Sequence, residues 1–379
     1  MIPGVQLFVY PEELRFVSPE ALAAQVADLG CDAVSVALAY HRARRVFPRH
    51  RHVSALGGST VYFAPDHGRY GELAPDATAE PELQDAVLRF RDACGNTGIG
   101  FRAWLVGLHH ESLAARNPEA AAHGLDGSPL GYSLCPSAPE AIDYVAALAA
   151  DVAARFEPET IDLEAWLYPA WEPSYTLTLA LEPLEPRAEL LSTQCFCEHC
   201  RRLLGPRAEQ LEQLARMVAG PPFASAGDEA DDDEVITELA GARASGAARL
   251  VSAVAAAVHR EGVELRVFGS GPPAQARLQG LSAAAVEDAD SVLLGCARLA
   301  GAELDARFRG LHELVGTGAP TVSTNWVPGR TPAAMADDVA RLVAAGAGGL
   351  ALYNLSLVPV DGLDAFRTAS AAFHAAVAA

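Results

Sequence analysis

The 379-residue chain reads as an α/β protein, a single (β/α)8 barrel. Three observations lead there. Eight short apolar runs alternate with amphipathic helical stretches, the pattern of a parallel sheet, and eight such units close a barrel. The longest polar stretches follow strands rather than helices, on the side where barrel active sites are built. No Gly-rich phosphate turn follows the first run, which disfavours an open dinucleotide-binding sheet. The reading places one barrel over residues 1–379, with a Cys-rich, helical and acidic insertion at 167–262 after strand four.

The elements follow in order. Val5–Tyr10 is the first strand, stopped by Pro11. Ser18-Pro19-Glu20 caps a helix to about Leu29. Ala33–Ala39 is the second strand, ending at Tyr40-His41, and a long Arg-, His- and Gly-rich loop follows to about Ala77. A helix over Pro81–Thr97 precedes strand three, Gly100–Val106, which ends at His109 and His110. After another long loop, Ser137 with Glu140 predicts a capping box for a helix to Phe156. Thr160–Trp166 holds strand four. In the insertion, helices are expected near Arg201–Arg216 and Glu234–Glu261, and the acidic run 227–234 reads as a solvated loop. Strands five to eight are Val263–Gly269, Asp290–Gly295, Pro320–Asn325 and Gly349–Asn354. The intervening helices lie near Ala274–Asp288, Leu304–Thr317 and Thr331–Ala345, and Leu363–Ala378 closes the chain.

Composition narrows the chemistry. All 28 basic residues are arginine, so lysine Schiff bases, a pyridoxal-phosphate lysine and a Walker loop are excluded, and no organic cofactor is expected. A net charge of −20 argues against nucleic-acid and anionic-membrane partners. The N-terminus has no basic, then apolar, signal pattern, and no apolar run reaches the roughly 18 residues of a membrane span. A cytoplasmic protein is expected, with homo-oligomerisation open.

The chemistry-bearing stretch is Asp162-Leu163-Glu164. Side chains at i and i+2 of a strand share a face, so both acids look into the same space at the end of strand four. Glycoside hydrolysis needs a protonated carboxyl group on one side of the scissile bond. Glu164, beside Trp166, is the candidate general acid, with Asp162 one pleat deeper as its partner. A second mouth carboxylate has candidates in Glu12, Glu13, Glu111, Glu172 and Asp361. The aromatic residues Tyr10, Tyr40, Trp104, Trp166, Trp171, Trp326 and Tyr353 stand at strand ends and suit sugar faces, and Asn325 and Asn354 suit hydroxyls. His41 and His109 end strands two and three. They would bond substrate or, with Glu164, form a divalent-metal site of an isomerase or hydrolase. The Arg-rich loop after strand two offers a local positive patch for an anionic group or for the protein's own acids.

Cys195-Phe196-Cys197-Glu198-His199-Cys200 clusters three thiols in a chain without a secretory pattern, which favours metal over disulfides. A tetrahedral zinc site needs a fourth ligand. Cys135 is the first choice and His199 the reserve. Cys31, Cys94 and Cys296 lie on apolar elements and read as core.

This cluster, with Ser133-Leu134-Cys135-Pro136-Ser137-Ala138-Pro139-Glu140, Asn117-Pro118-Glu119 and Asp126-Gly127 upstream, resembles the zinc loop of family 42 β-galactosidases over roughly residues 100–205. It is also similar to uncharacterised actinobacterial barrels. The resemblance implies a glycosidase barrel, a structural zinc and a carbohydrate substrate. Two positions depart from that family: Leu163 precedes Glu164 where it has Asn, and Ser323-Thr324-Asn325-Trp326 stands where it carries a nucleophilic Glu. A substrate-assisted mechanism on an Asp-x-Glu strand, or a sugar-binding barrel without catalysis, is therefore open beside the double-displacement route.

Overall fold

A computed structural model describes residues 4–55, 59–76, 80–169, 191–219, 229–316 and 318–379. Eight parallel strands form the barrel: β1 Val5–Val9, β2 Ala33–Tyr40, β3 Gly100–Val106, β4 Thr160–Glu164, β5 Glu264–Ser270, β6 Ser291–Gly295, β7 Thr321–Thr324 and β8 Gly349–Leu352. Each pairs with the next, and β1 pairs with both β2 and β8, so the sheet closes. Helices cover the outside. Their buried faces and the outward strand residues form one continuous apolar shell, which takes in Cys31, Cys94 and Cys296. No described helix is long and apolar enough to cross a membrane.

The barrel interior is layered, as closed parallel barrels are. The lower layer is polar. Asp162, with no exposed surface, accepts from Gln6 Nε2 at 2.7 Å, Ser35 Oγ at 2.6 Å and Arg266 Nε at 2.7 Å. Arg266 also donates to Gln6 Oε1 and Thr321 Oγ1, and Arg102 donates to the same Gln6 oxygen. Above it lies an aromatic layer in which Phe8, Trp104, Phe268 and Tyr353 meet at ring-centroid distances of 5.0–5.9 Å.

Three loops after strands carry structure that the apolar periodicity does not signal. After β2, a hairpin of Arg44–Phe47 and His52–Ala55 is followed by Thr60–Val61, which pairs antiparallel with the end of β2. After β3 come a helix, Glu111–Arg116, and a second hairpin, Ala121–His123 with Pro129–Leu134. After β4, the expected Arg201–Arg216 helix is two, Glu198–Leu204 and Ala208–Ala219, broken at Gly205-Pro206. The long helix Glu229–His259 begins five residues before the expected start at Glu234, so most of the acidic run expected as a loop is helical.

Two other local expectations are corrected. Ser137 does not cap the next helix, which starts at Pro139 behind Ala138; its hydroxyl is bonded to the Tyr168 hydroxyl instead. The predicted Ala274–Asp288 helix is a short helix, Pro273–Leu278, and a 3-10 turn, Ala284–Val286. Gly280 separates them at φ +100°, where a Cβ would lie 2.7 Å from the Arg243 carbonyl oxygen, so neither the backbone conformation nor the space admits a side chain.

Candidate active site

Glu164 is the last residue of β4 and is half-buried. The chain turns sharply after it, with Ala165 at φ 53°, a left-handed conformation that costs a non-glycine residue about 1–2 kcal/mol. The turn is held by Gly107 N–H donating to Glu164 O and Leu108 N–H donating to Ala165 O, each at 2.8 Å. It sends Trp166 across to β5, where the indole N–H donates to Phe268 O at 2.7 Å. The Glu164 carboxylate accepts from Trp104 Nε1 at 2.7 Å and faces a cavity of about 210 Å³. His41, His109, Tyr132, Trp166 and Phe268 share the wall.

Trp104 is fully buried, packed against Phe8, Tyr10, Tyr40 and Tyr353. It therefore offers no face to a sugar, and its indole N–H aims the acid. Tyr10 O–H donates to Tyr40 at 3.1 Å, and Tyr10 and Tyr353 share a 2.9 Å hydroxyl contact. Burial holds all three phenols above their ordinary pKa, with the Glu164 charge adding to the effect, so they stay protonated.

Two imidazoles share the cavity wall. His41 and His109 stack with centroids 4.6 Å apart and planes 11° from parallel, and Tyr40 stacks on the other face of His41 at 4.3 Å. His41 Nδ1 lies 2.8 Å from Arg42 O; a carbonyl only accepts, so that nitrogen carries the proton. Burial lowers the His41 pKa and, with His41 and His110 nearby, takes that of His109 down to about 3. Both rings are neutral at pH 7.

Of the expected site residues, Glu164, His41, His109 and Trp166 meet in this cavity. Asp162 does not touch Glu164, since all its partners lie in the polar layer below. Tyr353 joins the tyrosine cluster. Asn325, Trp326 and Asn354 are not in the cavity wall. Asn325 caps the chain at Arg298 N, Trp326 packs on Gly362 of the last helix, and Asn354 Oδ1 accepts from Ser356 N at 2.9 Å. Among the acids considered for the mouth, Glu12 and Glu13 are buried and taken by the Arg-rich loop. Arg45 reaches Glu12 at 2.6 Å and lies over the Tyr10 and Tyr40 rings, while Arg49 and His50 hold Glu13. For these two arginines the anion is the protein's own. Glu111 stands 3.8 Å from His109 Nε2, Asp361 is exposed, and Glu172 and Trp171 lie outside the described residues.

Cys135, Cys195, Cys197 and Cys200 come together, all buried, with their sulfurs within 4.8 Å of one another. Cys135 Sγ lies 3.5 Å from Cys200 Sγ and 3.6 Å from Cys197 Sγ, too far for disulfides and close to the ~3.8 Å edge of a tetrahedron with 2.3 Å metal–sulfur bonds. His123 N–H donates to Cys195 Sγ at 3.1 Å. The donor set fits a metal ion. His199 points away and accepts from Arg202. Among the described residues this is the one convergent group of metal-ligand side chains; His41, His109 and Glu164 do not form another. The cluster ties the segment after β4 to the loop after β3 beside the cavity. Next to it, Tyr168 N–H donates to Gln279 O and Gln279 Nε2 donates to Tyr168 O, both at 3.0 Å, and fully buried Arg243 lies 4.5 Å over the Tyr168 ring. Neither Gln279 nor Arg243 stands out in the sequence, since their partners come from other loops.

The fold has solved counterparts. The catalytic domain of a β-amylase from Paenibacillus polymyxa matches with a TM-score of 0.61 at 12% identity, over 98% of this chain and 100% of that one. An α-L-fucosidase from Paenibacillus thiaminolyticus matches at 0.60 and 13%, over 100% of this chain and 50% of that one. A β-galactosidase from Marinomonas ef1 matches at 0.56 and 11%, over 98% and 59%. The chain thus spans all of the amylase domain, half of the fucosidase chain and 59% of the galactosidase chain. At these identities the likeness is one of fold. By sequence, no family model and no curated protein matches the chain.

Proposed function

We propose that the protein is a glycoside hydrolase in which Glu164 protonates the departing glycosidic oxygen. The observation that carries this reading is the placement of Glu164: a carboxyl at the C-terminal end of a barrel strand, aimed by the Trp104 N–H, in an aromatic- and imidazole-lined cavity. Solved barrels of similar fold that are named as sugar-cleaving enzymes add to it. Asp162 serves as a positioning residue. Its ion pair with Arg266 fixes the floor on which Trp104 and Glu164 rest. The four cysteines would hold a structural zinc: four thiolates complete a tetrahedron and leave no open position for catalysis. The substrate is a carbohydrate or glycoside.

The test is a panel of nitrophenyl glycosides with the wild type and Glu164→Gln. Turnover of at least one glycoside by the wild type is expected, with kcat reduced at least a hundredfold, roughly, in the variant and binding retained. Binding without turnover by the wild type would instead define a carbohydrate-binding barrel.

A further inference from the structure

We propose that Arg243 is the counter-ion of a metal tetrathiolate built from Cys135, Cys195, Cys197 and Cys200; this rests on the reading of the four cysteines as a metal site. Arg243 lies on the long helix Glu229–His259 and has no exposed surface. Its guanidinium donates to Cys195 O and stands over the Tyr168 and Phe196 rings at 4.5 and 5.7 Å. Nε and Nη1 have no hydrogen-bond partner, and among the described residues no carboxylate pairs with it. The groups whose charge acts on it are the thiols of Cys200, Cys195 and Cys135 and the Tyr168 phenol. Gly246, one turn further along the helix, leaves the room that the Tyr168 hydroxyl fills, since a Cβ there would overlap it.

A buried guanidinium without an opposing charge is costly, and so is a buried cluster with an excess of negative charge. Four neutral thiols would leave Arg243 uncompensated. Four thiolates around a divalent ion carry two negative charges in excess, and the guanidinium cancels one of them. Backbone donors meet part of the remainder: His123 N–H lies 3.1 Å from Cys195 Sγ and Ser137 N–H 3.4 Å from Cys135 Sγ. The tetrathiolate and the guanidinium thus each lower the cost of burying the other. The same cation sits on the ring of Tyr168, whose backbone pairs with Gln279 in the cavity wall, so the metal site and that wall share one buried anchor.

The test is zinc affinity, measured by chelator competition on the reduced protein, for the wild type, Arg243→Met and Arg243→Lys. Methionine keeps much of the side-chain volume without the charge, and lysine keeps the charge. A loss of zinc affinity by roughly tenfold to a hundredfold is expected for Arg243→Met, with Arg243→Lys closer to the wild type. By linkage, Arg243→Met should lose more urea stability with zinc bound than with zinc stripped. A side chain that serves only packing would weaken both forms alike and leave zinc affinity unchanged. Equal losses in the two forms, or Arg243→Lys binding zinc as weakly as Arg243→Met, therefore overturn the proposal. Should Arg243→Met not fold, zinc held by Arg243→Lys supports the counter-ion role and zinc lost from it overturns that role. A wild type that holds no metal removes the four-cysteine reading itself, a failure visible before any variant is made.

Discussion

Asp162 and Glu164 are two residues apart on one strand and point to the same side, yet their surroundings differ in kind. Asp162 is sealed, and all its partners are protein groups: Gln6, Ser35 and the Arg266 guanidinium. Glu164 accepts from the Trp104 indole and has a cavity in front of it. One pleat of rise, about 7 Å over two residues, separates a carboxylate committed to holding the barrel from one placed to meet a ligand. Side-chain type does not assign the role; depth in the barrel does.

The largest expected effect breaks the lower half of that comparison. Asp162→Ala leaves the Arg266 cation buried without its counter-ion, which costs about 3–5 kcal/mol. Glu164→Gln should stay within about 1 kcal/mol of the wild type, because the change keeps the size of a half-buried side chain that faces a cavity. Urea unfolding midpoints of the two variants check this, and equal midpoints would erase the distinction. A smaller effect probes the wall around the upper carboxylate. Cys197→Ser should abolish binding of one zinc per chain and lower the unfolding midpoint by about 2 kcal/mol or more, read by elemental analysis and denaturation. The smallest lies between the layers. Trp104→Phe keeps most of the ring packing but removes the N–H that aims Glu164. Glu164 becomes a charged acceptor as it gives up its proton, and a hydrogen bond to a charged group is worth about 1.5–3 kcal/mol, so kcat/KM should fall roughly tenfold to a hundredfold with only a small change in the urea midpoint.

Much of the barrel is legible in the chain because each strand is a short apolar run bounded by turn residues, and all eight fall where that signal puts them. The joining of Cys135 to Cys195, Cys197 and Cys200 is legible too, since thiols cluster for few other reasons. The hairpin at Arg44–Ala55 is not, because its partly exposed, Arg-rich strands lack an apolar period. Asp162's partners did leave a signal: Gln6, Ser35 and Arg266 each interrupt an otherwise apolar strand. Three such interruptions on neighbouring inward positions mark a polar layer. Trp104 and Trp166 read alike as strand-end aromatics, but one lies beneath the acid and the other beside the cavity, a difference of layer that spacing alone does not encode. Asn325, Trp326 and Asn354 end their strands as expected, and local turn bonds and packing on the last helix take them instead.

The central claim, that Glu164 delivers the leaving-group proton, is tested most directly by the dependence of kcat/KM on leaving-group acidity across a series of aryl glycosides. A shallow dependence is predicted for the wild type. For Glu164→Gln the dependence should be steep, with activity approaching that of the wild type only for the most acidic phenols. Parallel dependences in the two proteins would contradict the assignment and place the proton donor elsewhere in the cavity.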